Sequence, residues 1–400
     1  MVHKSNLLCI TMSALLALTL VAPVFTAEPV VPVPAAATTP VSADVIKIGA
    51  IFAVTGPASN LGAPEAKTAE MLVKQINTAG GILGKKVQLI IKDTGASPEK
   101  AISFAKQLIE EEKVFAIIGP TTSGETMKIK DICEQGKTLM LSCAAAEVIV
   151  NPVAKYVFKT PQNDSDAVRK IFATMKKLKI SKIGVIASNT GFGNAGKAQV
   201  EKLATEHSIQ IIASEVYDKE ATDLTSVLTK LKSQKVQAVV NWSIEPAQAI
   251  VAKNMKQMNF NVPLFQSHGF GNINYVKAAG KAAEGIIFPC GRLLVAETLP
   301  VTNKQKELLM KYKKDYETEY KEDVSTFGGH AYDAILIISK AIETAGVVDP
   351  DKARDAIENT KGLVGTAGIF NFTPTDHNGI DINGFEMLTV KNGKFVVYAK

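Results

Sequence analysis

The stretch "KIGVIASNTGFGNAGKA", residues 182–198, decides the fold, because it reads as a buried strand, a short loop and the start of a helix. Its glycines, Gly191, Gly193 and Gly196, have the G-x-G-x-x-G spacing of a dinucleotide site, and Glu215 follows about twenty residues later, where an acid would hold a ribose. The distance from the strand argues against that chemistry. In the fingerprint the first glycine follows the strand almost at once, whereas Ser188, Asn189 and Thr190 intervene here. What remains is a strand–loop–helix unit, with its helix expected from Asn194.

The unit repeats in both directions. Upstream, "VIKIGAIFAV", "KVQLIIKDT", "VFAIIGP" and "TLMLSCA" read as strands, separated by the amphipathic helices "PEAKTAEMLVKQINTAGG", "PEKAISFAKQLIEEE" and "SGETMKIKDICEQGK". Downstream, strands "IQIIASEVY", "AVVNWS" and "PLFQSH" alternate with further helices. The fold class expected is α/β, with two doubly wound parallel-sheet lobes joined by a three-crossing hinge. The crossings are expected at "FKTPQND" near 160, at "GIIFPCG" (285–291) and near "GTAGIFNFTPTDH" (365–377). Lobe 1 would then be 44–160 plus 290–366, and lobe 2 would be 161–289 plus 367–400. Three late helices have no strands between them and need the first lobe's sheet to pack on. A last hairpin, "FEMLTVKNGKFVVYA", carries a two-residue Asn-Gly turn. Ligands of such sheets bind outside the carboxyl ends of the strands, here in the cleft between the lobes.

His3 and Lys4 precede an uncharged apolar run from Leu7 to Val21, which reads as a secretory signal peptide over 1–27, with cleavage between 27 and 43. Residues 28–43 form a Pro/Ala-rich linker, which would also serve as a tether if the run stayed as a membrane anchor. Both readings put the body outside the cytoplasm. Cys9 leaves with the leader, so Cys133, Cys143 and Cys290 remain. A Cys133–Cys143 disulfide is open to that compartment, and buried thiols are the plainer reading. The net charge of +6 lies on lysines interleaved with acids, which excludes a nucleic-acid platform. The five histidines, at 3, 207, 268, 330 and 377, have no metal-ligand spacing, and no serine sits in a nucleophile elbow. Neither an enzyme, a cofactor nor a metal is expected.

The segments "IKIGAIFAVTGPASNLG", "INTAGGILGKKVQLIIKDTGASPEKA", "VFAIIGPTTSGE", "AAEGIIF" and "HAYDAI" together resemble the branched-chain amino acid (leucine/isoleucine/valine) binding proteins of ABC importers, over 44–400. The resemblance implies the type I periplasmic binding protein fold, and a monomeric periplasmic protein that captures a small-molecule carboxylate between its lobes and delivers it to an ABC transporter permease. It also implies that "TGFG" is a ligand loop with Phe192 at an aromatic position. Ser123, at a helix N-terminus where free N–H groups favour an anion, would hold the carboxylate together with the backbone of Ala144 and the neighbouring Ala146. A plain N-cap serine is the alternative. Leu61, Phe192, Trp242, Ile244 and Tyr332 would supply the apolar wall, with ordinary core packing as the alternative for Trp242 and Tyr332.

This chain departs from the family at the amine site. The pattern has a threonine at Ala146 and an acid at His268, and an ammonium ion needs a buried counter-charge. Glu245 or Glu147 could substitute. Otherwise the chain binds amine-free aromatic or aliphatic acids, with His268 donating to a hydroxyl, keto or second carboxylate group. His330 and Arg292 are further polar candidates. A ligand-sensing partner of a receptor is the third reading.

Overall fold

In the computed structural model, residues 45–399 are described, and the leader and linker expected over 1–43 lie outside them. The first sheet holds β1 (Ile46–Phe52), β2 (Val87–Asp93), β3 (Ala116–Ile118), β4 (Leu139–Ser142) and β5 (Val157–Lys159) in the order β2-β1-β3-β4-β5. All its pairs are parallel. A central parallel strand is covered on both faces, which is why β1 reads as the unbroken run "IKIGAIF". Helix α1 (Ser59–Thr78) contributes to the apolar cluster on one face, while α2 (Pro98–Lys106) and α3 (Ser123–Gln135) build the other. Local signals set the helix starts. Ser97 caps α2 by accepting from Lys100 N at 3.3 Å, and Pro98 follows at the first helical position.

After β5 the chain crosses into α4 (Asp164–Lys177) and a second series: β6 (Lys182–Ser188), α5 (Gly191–Ala204), β7 (Gln210–Tyr217), α6 (Thr225–Ser233), β8 (Ala238–Trp242), α7 (Ala247–Gln257), β9 (Leu264–Gln266), α8 (Ile273–Ala279) and β10 (Ile287–Cys290). It then supplies α9 (Lys306–Tyr320), α10 (Thr326–Ala345) and α11 (Pro350–Glu358), whose buried residues join the first lobe's core as expected. A two-stranded ribbon follows, β11 (Leu363–Val364) with β12 (Ile369–Phe370), and the chain ends in β13 (Glu386–Lys391) and β14 (Lys394–Val397). The second sheet runs β14-β13-β10-β9-β8-β6-β7, so its five parallel strands repeat the order of the first. The turn Asn392–Gly393 closes the hairpin with both residues at positive φ, and Glu284 accepts from both of their N–H groups, at 2.9 and 2.7 Å.

Two boundaries differ from the sequence reading. The segment 285–291 is not a bare crossing, because Ile287–Cys290 is a strand of the second sheet and the chain leaves after it. The third crossing lies later than expected. Ala367, Phe370, Phe372 and Ile380 pack in the first lobe's core, and His377 stacks on Phe158 with ring centroids 3.9 Å apart. Only at Phe385 does the chain join the second core. Residues 367–380 therefore belong to lobe 1. The polar run "TPTDH" hid the apolar residues on either side of it.

The glycines of 182–198 are packing residues. Helix α5 starts at Gly191, three residues before the expected Asn194, and Thr190 caps it by accepting from Gly193 N at 3.2 Å. A Cβ at Gly193 would lie 2.0 Å from Ser188 O, and one at Gly196 would lie 1.9 Å from Trp242 Nε1. No phosphate is needed to explain either.

Candidate functional site

Both sheets reverse strand order at the same place, between β1 and β3 in the first and between β6 and β8 in the second. The carboxyl ends at these switch points carry Ser123, the 190–192 loop and Ile244, and they converge on a small cavity of about 20 Å³. Its lining includes Leu61, Ser123, Ala144, Phe192, Ile244 and His268. Leu61 and Ala145 of the first lobe share an apolar cluster with Phe192 and Ile244 of the second. The lobes thus meet through side chains at the site itself. A cavity of this size holds about one water molecule and no amino acid, so a ligand requires the lobes to part.

Ser123 is not the N-cap of α3. Thr122 takes that role, accepting from Glu125 N at 3.3 Å, while the Glu125 carboxylate accepts from Thr122 N at 3.2 Å in a capping box. Ser123 is thereby released, and its Oγ accepts from Ala146 N at 3.3 Å. The hydroxyl proton is bonded to no protein acceptor among the described residues and is free for a ligand oxygen. The backbone donors expected beside it are committed. Ala144 N donates to Ser142 Oγ at 3.1 Å, and Ala146, fully buried, lies behind the cavity wall. Ala144 lines the cavity, but neither N–H is an open anion donor.

Trp242 and Tyr332 are not in the wall. Trp242 is fully buried, with its ring centroid 5.9 Å from Phe192 and 5.7 Å from His268, and its Nε1 lies against Gly196. It backs the wall. Tyr332 packs on Tyr312, 5.0 Å between centroids, in the first lobe's core. The cause is helical phase. His330 of α10 faces the cavity, and two residues on the chain has turned about 200°. Phe327, three residues before His330, shares its face and lines the cavity. That i, i+3 spacing was the signal for a residue the sequence reading missed, along with Thr121 and Cys143. Arg292 lies elsewhere, paired with Glu386 at 2.9 Å.

The candidate amine partners are likewise occupied or distant. Glu245 is buried and accepts from Ser243 Oγ at 2.7 Å and Ile244 N at 3.2 Å. It faces an outer cavity of about 250 Å³ that also touches Phe192 and Ile244. Glu147 sits beside the first crossing, its N donating to Asp164 at 3.2 Å. There the fully buried Lys159 donates to Pro161 O at 2.8 Å, and Pro161 lines the inner cavity. Burial lowers the Lys159 ammonium and raises the Asp164 carboxyl, each opposed by the other's charge. Burial also pushes His268 and His330 down to about 3, with the Lys159 charge acting in the same direction, so both imidazoles are neutral near pH 7. Cys133, Cys143 and Cys290 are free and buried, with no disulfide between the first two. Among the described residues no group of acids, histidines and cysteines could hold a metal ion.

A family model described as "Periplasmic binding protein" matches residues 45–394. The chain is 28% identical over 361 residues to the leucine-, isoleucine-, valine-, threonine- and alanine-binding protein of Pseudomonas aeruginosa, covering 89% of this chain and 90% of that protein. Among solved structures, an extracellular ligand-binding receptor from Rhodopseudomonas palustris HaA2 superposes with a TM-score of 0.83 at 27% identity, over 88% of this chain and 99% of that one. The branched-chain amino acid transporter substrate binding protein LivJ from Streptococcus pneumoniae, in complex with isoleucine, gives 0.76 at 26% identity, over 88% and 97%.

Proposed function

This chain belongs to the periplasmic binding protein family, and on that premise we propose that it is the solute-binding component of an ABC importer, capturing a small apolar carboxylate between its lobes and presenting the closed form to a permease. The branched-chain ligands named for its relatives fall in that class. The observation that carries the reading is the release of Ser123. With Thr122 capping α3, the serine hydroxyl faces the cavity at a helix amino end, across from the amino end of α5. Two such ends facing one another are mutually unfavourable, and an anion between them relieves both. Leu61, Phe192, Ile244 and Phe327 then cover an aliphatic or aromatic body. In this reading the mature chain is a periplasmic monomer, and binding is hinge closure by population shift.

Replacing Ser123 tests it. By titration calorimetry, Ser123→Ala is expected to weaken the best-bound carboxylate by about 1–3 kcal/mol, the range for a hydrogen bond to a charged group. Unchanged affinity would remove Ser123 from the site.

A further inference from the structure

The inner cavity has unpartnered imidazole nitrogens and no acid. Both ring nitrogens of His268 and Nδ1 of His330 are buried without a hydrogen-bond partner. The two residues are 8% and 6% exposed, and both line the cavity that Ser123 lines. Trp242 Nε1 is also unpartnered, but it lies against Gly196 and does not belong to this cavity. No Asp or Glu contributes to the lining. Glu65 is fully buried outside this lining, accepting from the Thr121 hydroxyl with its Oε1 unpartnered, and Glu245 is held by Ser243 and Ile244.

The chemistry these groups request is specific. A neutral imidazole offers one N–H and one bare nitrogen, and burying either without a partner is costly. An ammonium ion placed here would meet no counter-charge and would sit near the Lys159 cation. An uncharged oxygen would accept from an imidazole N–H, and a hydroxyl could also donate to a bare nitrogen. Ser123 and His330 of the first lobe and His268 of the second border the same cavity, so one ligand seated there can meet all three.

We propose that the cleft selects a compact acid without an amine: its carboxylate on Ser123, and a hydroxyl or keto oxygen one or two carbons away on His268 and His330. The inference deepens the solute-binding reading above and depends on it. It makes the cleft a discriminator against amino acids, with the imidazoles standing where an amine would need an acid.

The test is calorimetry of the full chain with four ligands of one carbon skeleton: leucine, 2-hydroxy-4-methylpentanoate, 4-methyl-2-oxopentanoate and 4-methylpentanoate. The hydroxy and keto acids are expected to bind at least about tenfold more tightly than leucine and than the plain acid, because neither of those offers an uncharged oxygen to the buried imidazoles. His268→Leu should reduce the preference for the hydroxy and keto acids over the plain acid to within about twofold, and His268→Gln, which keeps an N–H donor, should retain part of it. Leucine binding as tightly as the hydroxy acid would overturn the proposal and leave the solute-binding reading intact. Equal weakening of all ligands by His268→Leu would also overturn it, by showing a structural role only. Silence of all four ligands would overturn the ligand class, while the Ser123→Ala titration on whichever carboxylate binds judges the wider reading separately.

Discussion

At the scale of single residues, the cavity wall keeps two imidazoles uncharged where the unfolded chain would protonate them. His268 and His330 are each pushed down to about 3, first by burial, then by Lys159, with His330 adding to the shift of His268. Between the ordinary histidine value and about pH 3 the unfolded state therefore binds more protons than the folded one. Stability present above pH 6.5 is lost as pH falls. Asp333, pushed up to about 7, and the buried Glu65 and Glu125 act in the opposite sense, because they hold protons in the folded state. A single melting curve mixes these effects, and a difference between variants separates them. In urea unfolding at pH 7 and pH 5, the stability of the wild type relative to His268→Leu should fall by about 2 kcal/mol at the lower pH, from 1.36 kcal/mol per unit over the span below pH 6.5. A difference independent of pH would mean a solvated imidazole.

At the scale of elements, the glycines at the start of α5 divide into two kinds. Gly196 accommodates Trp242 inside the second lobe, whereas a Cβ at Gly191 would come within 2.7 Å of Gly124 across the cleft. Gly196→Ala should therefore lower stability by about 1–3 kcal/mol through overpacking. Gly191→Ala should leave the melting temperature of the unliganded protein unchanged and weaken ligand binding, because it obstructs closure. Equal melting losses in the two variants would refute the division. The same elements show what was legible in the sequence. Parallel strands buried on both faces read as apolar runs, and the Asn392–Gly393 turn names its own geometry, so the strands came through except Ile287–Cys290, which read as a crossing. Which side chain faces the cleft depends on helical phase and cap identity. That Tyr332 packs against the core while Phe327 lines the cavity depends on a rotation of α10 set by its packing against α1, and the roles of Ser123 and Thr122 could not be told apart without the Glu125 contact. The backbone donors of Ala144 and Ala146 were expected from family resemblance. Their use by Ser142 and Ser123 follows from rotamers that no sequence pattern encodes.

At the scale of the whole molecule, three strands of chain join the lobes, and polar side chains tie them together. Gln162 on the first crossing donates to Ala367 O at 2.7 Å, in the first-lobe strap, and to Gly384 O at 3.2 Å, at the end of the third crossing. Gln305 donates to Gly365 O at 2.9 Å, and Asp333 accepts from Thr366 and Ala367, fixing the returning strap to α10. Across the cleft, Asn272 donates to Asn60 O at 2.7 Å, Thr326 N donates to Gly271 O at 3.2 Å, and the exposed Lys277 pairs with Asp323 at 3.1 Å. Such rim contacts are worth little individually, so closure must be decided by what lies between the lobes. The most direct measurement is small-angle X-ray scattering of the full chain with and without a saturating carboxylate identified by calorimetry. A contraction of the radius of gyration on binding, lost in Ser123→Ala at the same ligand concentration, is the predicted result. Binding at saturation with unchanged scattering would contradict capture by closure.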